Sequence, residues 1–393
     1  MQEQYRPTRA EINLDALRAN YEAFRSALPH TTRLMLCVKA GAYGHGAVGV
    51  ARELEQLGAD YLSVAFLDEA IELRQHGISL PILVLGYTAP EGVAAAYEYD
   101  VTLNVFTEEV LEAIAGLSVE PSGRKLKAHI KIDSGMGRLG LFPDQAPAFI
   151  AKAFAVPTLE VEGMFTHFAR ADEHNKDYTL MQYENFQRVD REVRSMGYTI
   201  PVIHTGNSAA AIDAPELSPQ MVRVGIALYG LYPSTEVNQQ AIALAPVMVL
   251  KTRVVYTKTL PAGAGVSYGT RYVTEQPEVI VTLPIGYADG YSRLLSGKAE
   301  VLLRGRRVPV VGTICMDQCM VSLKSFAHEA EEIQIGDEVV LIGRQQNEFI
   351  SADELASWLG TINYEVVCMI ASRVPRLYYR DGEIVSCLNP LLR

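Results

Sequence analysis

The chain has 393 residues, 49% of them hydrophobic, and a formal net charge of −11. That length suits two domains or one barrel with an appendage, and the apolar content builds a large core and excludes wholesale disorder. The acidic balance excludes non-specific nucleic-acid binding, which needs a basic face, and no run reaches the roughly 20 apolar residues of a membrane-spanning helix.

The opening segment, MQEQYRPTRAEINLDALRANY, has no apolar signal core, so a cytoplasmic protein is expected. Helical patterns over Leu14–Leu28, Ala47–Leu57, Leu67–His76, Thr107–Leu117 and Gln182–Met196 alternate with strand-like runs. The strand-like runs are 34–39, 60–65, 81–87, 100–105, 127–133, 159–166, 201–205 and 222–229. Eight strands with intervening helices predict an α/β fold with a (β/α)8 barrel of the TIM type. The count alone is also compatible with a doubly wound open sheet. Beyond about residue 240 the texture changes. Val247–Leu260, Glu278–Ile285, Ala299–Val311 and Asp337–Ile342 are rich in Val, Leu and Thr with Gly and Pro between them, which predicts a mainly β domain. Ser351-Ala352-Asp353-Glu354 has the form of a capping box opening a short helix. The predicted domains are therefore residues 1–240 and 241–393, with about the first 10 residues packing with the second. The five cysteines are odd in number and mostly sit in apolar runs, which fits buried thiols in a reducing compartment. No metal site is expected.

The apolar run Leu34-Met35-Leu36-Cys37-Val38 leads into Lys39 and a glycine-rich turn, Ala40-Gly41-Ala42-Tyr43-Gly44-His45-Gly46. An ammonium is costly in a core unless it is paired or used. Lys39 is thus either a paired structural charge or a reactive amine. In barrels of this type the active-site groups sit at the C-terminal strand ends, and phosphate often binds after strands seven and eight. Lys39 ends the first predicted strand, Lys131 lies in the fifth with Arg138 just after it, and His167 ends the sixth. His204 and Asn207-Ser208 follow the seventh, and Arg223-Val224-Gly225-Ile226 opens the eighth. Polar groups therefore gather on one rim.

The lysine segment VKAGAYGHG resembles the cofactor-lysine motif of the alanine racemase family, pyridoxal phosphate-dependent enzymes of fold type III. RPTRAEINLDALRANY, KIDSGMGRLGL, FTHFARADE, HTGNSAA, MVRVGIALYG, GVSYG, LPIGYADGYSR, ICMDQ and TINYEVV with SRVPR match the same family in order along nearly the full length. The resemblance implies two-base racemisation of L-alanine to D-alanine, the family's supply for bacterial peptidoglycan. It makes Lys39 the lysine that carries pyridoxal phosphate and acts on the D-enantiomer. Tyr268 becomes the opposing base, reaching the site from the partner subunit of a homodimer with shared active sites. Arg223 faces the pyridine nitrogen, and His167 lies near the cofactor. Tyr43, Ser208, Gly225, Ile226 and Tyr364 hold the phosphate, with Ser208 as a helix N-cap. Arg138 supports Tyr268 and, with the backbone amide of Met316, meets the substrate carboxylate. Asp317 orients site groups and Tyr287 gates access. Lys131 matches a lysine carbamylated in many members; a simple salt bridge is the other reading, and the sequence does not separate them.

Gly41 and Thr313 depart from the family pattern, and Thr205-Gly206 before Asn207 is another variable spot. Gly41 stands where Asn is common, which either loosens the loop behind Lys39 or makes room there. Thr313 stands where some members carry a corridor arginine. A hydrophobic pocket discriminates poorly against one added hydroxyl, so a serine or broader amino-acid racemase is the nearest alternative. A related decarboxylase would carry a carboxylate in place of Arg223. A non-catalytic pyridoxal phosphate-binding protein would lack the second domain and its GVSYG.

Overall fold

The computed structural model describes residues 5–118 and 123–392. Two compact units make up the chain. One holds the N-terminal segment up to Asp15, Tyr43–Gly49 and the chain from Pro246 on; the other holds Ala16–Ala42 and Val50–Ala245.

After β1 (Arg9–Asn13), eight strands build the second of these units: β2 (Arg33–Cys37), β3 (Tyr61–Val64), β4 (Ile82–Val84), β5 (Leu103–Val105), β6 (Leu126–Lys131), β7 (Leu159–Phe165), β8 (Val202–His204) and β9 (Met221–Val224). They form two parallel four-stranded sheets, ordered β4-β3-β2-β9 and β5-β6-β7-β8. A parallel bridge between Leu83 and Thr102 joins one edge. At the other, the Arg223 N–H donates to the Gly206 carbonyl, which closes the strands into a barrel. β3 and β4 are buried at every residue, because helices cover their outer face and side chains fill the inside, while β6 and β7 carry charged residues among the apolar ones.

All eight predicted runs contain a strand, several of them shorter than the run, and two of the differing ends bear on the site. β2 stops at Cys37, so Lys39 lies two residues past the strand. The run 222–229 is a strand only to Val224; Gly225 takes φ −107°, ψ −103°, and Ile226–Tyr229 forms a 3-10 turn. Arg223 accordingly sits inside β9 rather than opening it. The apolar character continues across the break because the turn is as buried as the strand.

The other unit carries β10 (Met248–Arg253), β11 (Tyr256–Leu260), β12 (Gly265–Val266), β13 (Tyr272–Val273), β14 (Glu278–Leu283), β15 (Glu300–Leu303), β16 (Arg306–Val311), β17 (Cys319–Ser322), β18 (Glu338–Gln345), β19 (Glu348–Ile350), β20 (Arg376–Arg380) and β21 (Glu383–Leu388). Its large sheet runs β11-β14-β17-β16-β15-β18-β10-β1-β20-β21, with β19 paired to β18. The predicted run 247–260 is two strands. The run 299–311 is a hairpin that turns at Arg304 and Gly305, both at positive φ. β1 lies between β10, antiparallel, and β20, parallel. Ser351 caps the helix Ala352–Leu359, its hydroxyl accepting from the Glu354 N–H at 3.0 Å.

Candidate functional site

In the barrel unit the turn after β2 is unusual. Ala40, Gly41, Ala42 and Tyr43 all have φ between 52° and 61°, so Lys39 is followed by one left-handed turn. That conformation costs about 1–2 kcal/mol for each non-glycine residue. Two bonds hold it: the Ala42 N–H donates to Val38 O at 2.8 Å, and the Ala40 N–H donates to Glu69 Oε1 at 2.6 Å. The other oxygen of Glu69 accepts from the Ala65 and Phe66 amides, so one carboxylate ties the lysine turn to the end of β3. No atom lies within 4 Å of a Cβ built on Gly41. The space beside Gly41 is open, so close packing does not require glycine here. Gly and Asn are the residues that enter this region at least cost, which accounts for their exchange.

Arg223 is only 3% exposed. One Nη donates to His204 Nδ1 at 2.9 Å. The other donates to Thr166 O at 2.8 Å, Thr205 O at 3.0 Å and His167 Nδ1 at 3.2 Å. Burial lowers the guanidinium to about 10, so it stays charged at neutral pH. Lys131 is buried with its Nζ 4.4 Å from the centre of the Phe165 ring. Burial, then Arg223 and Arg138, push its amine well below the ordinary lysine range. Burial and the same positive field, with contributions from Lys131, Arg138 and Lys39, hold His167 far below its ordinary value. Lys39, Lys131, Arg138, His167 and Arg223 thus share one positive mouth. Asp133 is the carboxylate among them, and it is engaged. Oδ1 accepts from the amides of Gly135, Met136 and Gly137, and Oδ2 from that of Arg138. It shapes the loop that carries Arg138. Such a mouth favours anionic groups.

Ser208 is not the N-cap. Asn207 is, its Oδ1 accepting from the Ala210 N–H at 3.1 Å. The buried Ser208 hydroxyl instead accepts from the Gly225 N–H at 2.8 Å and the Ala227 N–H at 3.5 Å. A hydroxyl, the amides after β9 and a helix start are therefore gathered at one place, a donor set suited to a phosphate.

In the β unit, Tyr43 and Tyr364 lie with ring centres 6.3 Å apart. Gly44 is forced by close approach, since a Cβ there would stand 2.1 Å from Val367 O. Tyr268 lies in the turn between β12 and β13 and is 72% exposed. Thr313, buried, donates its hydroxyl to Tyr268 O at 2.8 Å. Thr313 thus braces the tyrosine turn through its main chain. Met316 and Tyr287 are 53% and 42% exposed and are linked through neighbours: Tyr287 N–H donates to Cys315 O and Ala288 N–H to Met316 O, each at 3.0 Å. Asp317 accepts from Arg373 at 2.6 Å, and the same arginine bonds the fully buried Asp289, which also takes both Nη groups of Arg6. Burial raises the Asp289 carboxyl, but the two arginines outweigh it and the net shift is downward. Asp289, Arg6 and Arg373 went unassigned in the sequence, although each lies in one of the matched segments.

The barrel interior also holds His129 and His204, both with no exposed surface. Burial drives both below the ordinary 6.5. The unfolded chain therefore takes up protons below about pH 6.5 that the fold refuses. Stability is unaffected above that pH and falls below it, by up to about 1.4 kcal/mol per pH unit for each histidine. Denaturant midpoints measured between about pH 7.5 and 5.5 will decline accordingly; a flat profile would mean that the pair is protonated in the fold.

Comparison with known proteins places this arrangement among the amino-acid racemases. Residues 12–233 match the alanine racemase N-terminal domain and residues 247–378 the alanine racemase C-terminal domain. The alanine racemase of Desulforamulus reducens is 46% identical over 373 residues, covering 95% of this chain and 99% of the relative. That of Desulfovibrio desulfuricans is 47% identical over 373 residues, covering 95% and 98%. The solved alanine racemase of Clostridium difficile 630 has a TM-score of 0.92 at 42% identity, covering 99% and 100%. That of Bacillus anthracis, solved with bound L-Ala-P, has 0.92 at 41%, covering 99% of each chain. The chain belongs to the alanine racemase family. Among the described residues no helix is long and apolar enough to cross a membrane.

Proposed function

We propose that this protein interconverts L- and D-alanine in the cytoplasm, supplying D-alanine for peptidoglycan, with pyridoxal phosphate as cofactor. One observation carries the reading. A charged arginine, buried and able only to donate, shares a positive barrel mouth with Lys39. The Ser208 hydroxyl and the Gly225 amide, which fit the phosphate, lie where β9 ends. The bound cofactor supplies an electron sink for the pair of electrons left at the α-carbon.

The residues do the rest. The Lys39 amine removes or returns the α-proton on one face, and the Tyr268 phenol does so on the other. Arg223, able only to donate, would hold the ring nitrogen without giving it a proton, which would keep the sink weak and disfavour side reactions. His167 supports Arg223. Tyr43, Ser208, Gly225, Ile226 and Tyr364 receive the phosphate. Arg138 and the Met316 amide bind the substrate carboxylate, Asp317 keeps the Met316 loop in place through Arg373, and Tyr287 gates access. The domain division falls at about residue 240, with the first residues joining the second domain, and each of these sets draws residues from both sides of it. The exposure of Tyr268 supports a homodimer in which it serves the partner's Lys39.

Lys131 belongs to the same reading. A neutral amine attacks carbon dioxide, loses a proton and becomes an anionic carbamate beside Arg138; the depressed basicity of Lys131 favours the first step. Labelled 13C-bicarbonate will give a carbamate carbon signal that Lys131→Met lacks. Identical spectra for the two would remove the modification.

The experiment that tests the function follows the α-proton in D2O with L-alanine and L-serine offered separately. Fast formation of deuterated D-alanine and slow serine turnover support it; preferred serine turnover would replace alanine as substrate.

A further inference from the structure

Arg223 is buried, yet no carboxylate is among the partners described for it. A buried cation without a counter-charge is costly. A line of hydrogen bonds leads from it to one. His204 Nε2 lies 2.8 Å from His129 Nδ1, and His129 Nε2 lies 3.0 Å from Glu162 Oε2. A guanidinium only donates, so His204 Nδ1 accepts, and its proton is on Nε2 facing His129. An ionised carboxylate only accepts, so His129 Nε2 carries a proton facing Glu162. Reasoned from either end, the polarity is the same: each imidazole is neutral and protonated on Nε2.

We propose that Glu162 is a positioning residue for Arg223, its counter-charge at a distance, acting through His129 and His204. The proposal rests on the reading of Arg223 as the donor to the cofactor ring.

The strands are built around this line. The β6–β7 ladder slips between Ala128 and His129: Ala128 pairs with Val161 and His129 with Gly163. Glu162 is the extra residue of a bulge, and a bulge re-aims a side chain. A Cβ on Gly163 would stand 2.5 Å from His129 Nδ1, so only glycine admits the imidazole. Phe165 stacks on His204 at 4.7 Å and 4°, fixing the second ring. Tyr61 OH donates to Glu162 at 2.9 Å and Lys127 Nζ lies 3.2 Å from its other oxygen. Lys131 faces the same Phe165 ring. A carboxylate that only capped the strand pair would need neither the bulge nor the glycine.

Glu162→Gln tests the idea because its amide oxygen still accepts from His129 while the charge is gone. In the full-length protein, 15N-histidine spectra will show both imidazoles neutral with the proton on Nε2, in wild type and variant alike. The Arg223 guanidinium protons will exchange with solvent about tenfold faster in the variant, and kcat for alanine will fall about tenfold at unchanged KM, the lower end of what losing an outer partner costs at metal-bound histidines. A wild-type Nδ1–H tautomer or an imidazolium at either residue overturns the proposal; this arm needs no variant to fold. Arg223 exchange and kcat within twofold of wild type in Glu162→Gln overturn it as well. Tautomers and exchange rates are readable whether or not alanine is racemised, so a failure of the functional reading shows separately.

Discussion

Lys39→Ala abolishes racemisation in both directions and removes the absorbance of lysine-bound pyridoxal phosphate. The expected loss is at least about 10⁴-fold, because the variant lacks both the covalent anchor and a positioned base, and a base alone is worth about 10²–10⁴. The fold should survive. Lys39 lies past the end of β2, and the left-handed turn after it has main-chain bonds of its own, from the Ala40 and Ala42 amides. Unfolding midpoints near wild type are therefore part of the prediction. Turnover within tenfold of wild type, or an unchanged cofactor spectrum, would remove Lys39 from its role.

Tyr268→Phe should separate the two faces of the reaction. On the proposed two-base reading the phenol carries the proton on the L face, so L-alanine should neither exchange its α-proton nor invert, a loss of about 10³–10⁴. D-alanine still meets Lys39, and in D2O it should gain deuterium while remaining D-alanine. The turn itself is held by main-chain and neighbouring groups, with Thr313 donating to Tyr268 O, so the ring keeps its place without the hydroxyl. Inversion at near-normal rates in both directions would end the two-base assignment. Deuterium entering L-alanine instead would reverse which base serves which face.

Much of the barrel was legible because a parallel strand buried on both faces leaves an uninterrupted apolar run. Its ends were not, where a buried turn is as apolar as the strand before it, as at Ile226–Tyr229. Lys39, His167 and Arg223 were singled out because motif matches mark them, and the structure brings them to one barrel mouth. Glu69 and Asp133 could not be assigned their work. A carboxylate that binds consecutive main-chain amides has no side-chain partner for a sequence pattern to reveal. His129 and Glu162 sit in strands that read KAHIK and EVEGMF. There a charged residue in alternation looks like a solvent-facing one, and only the register slip shows that Glu162 turns inward. Ser208 was misread as a cap because Asn207 and Ser208 are both good capping residues in adjacent positions; the hydrogen bond from Ala210 decides for Asn207.

The position of β1 has a consequence for how the polypeptide is made. β1 precedes the barrel strands in the chain yet lies between β10 and β20, so both of its partners are synthesised after the barrel. The barrel residues follow β1 directly and pair only among themselves. A nascent chain can therefore complete its barrel while Arg9–Asn13 still waits with both edges open. An unpaired strand edge is a site of mispairing. β1 carries charges at Arg9 and Glu11, which in the finished sheet meet Glu338 and Lys251; charged residues on an open edge oppose such mispairing.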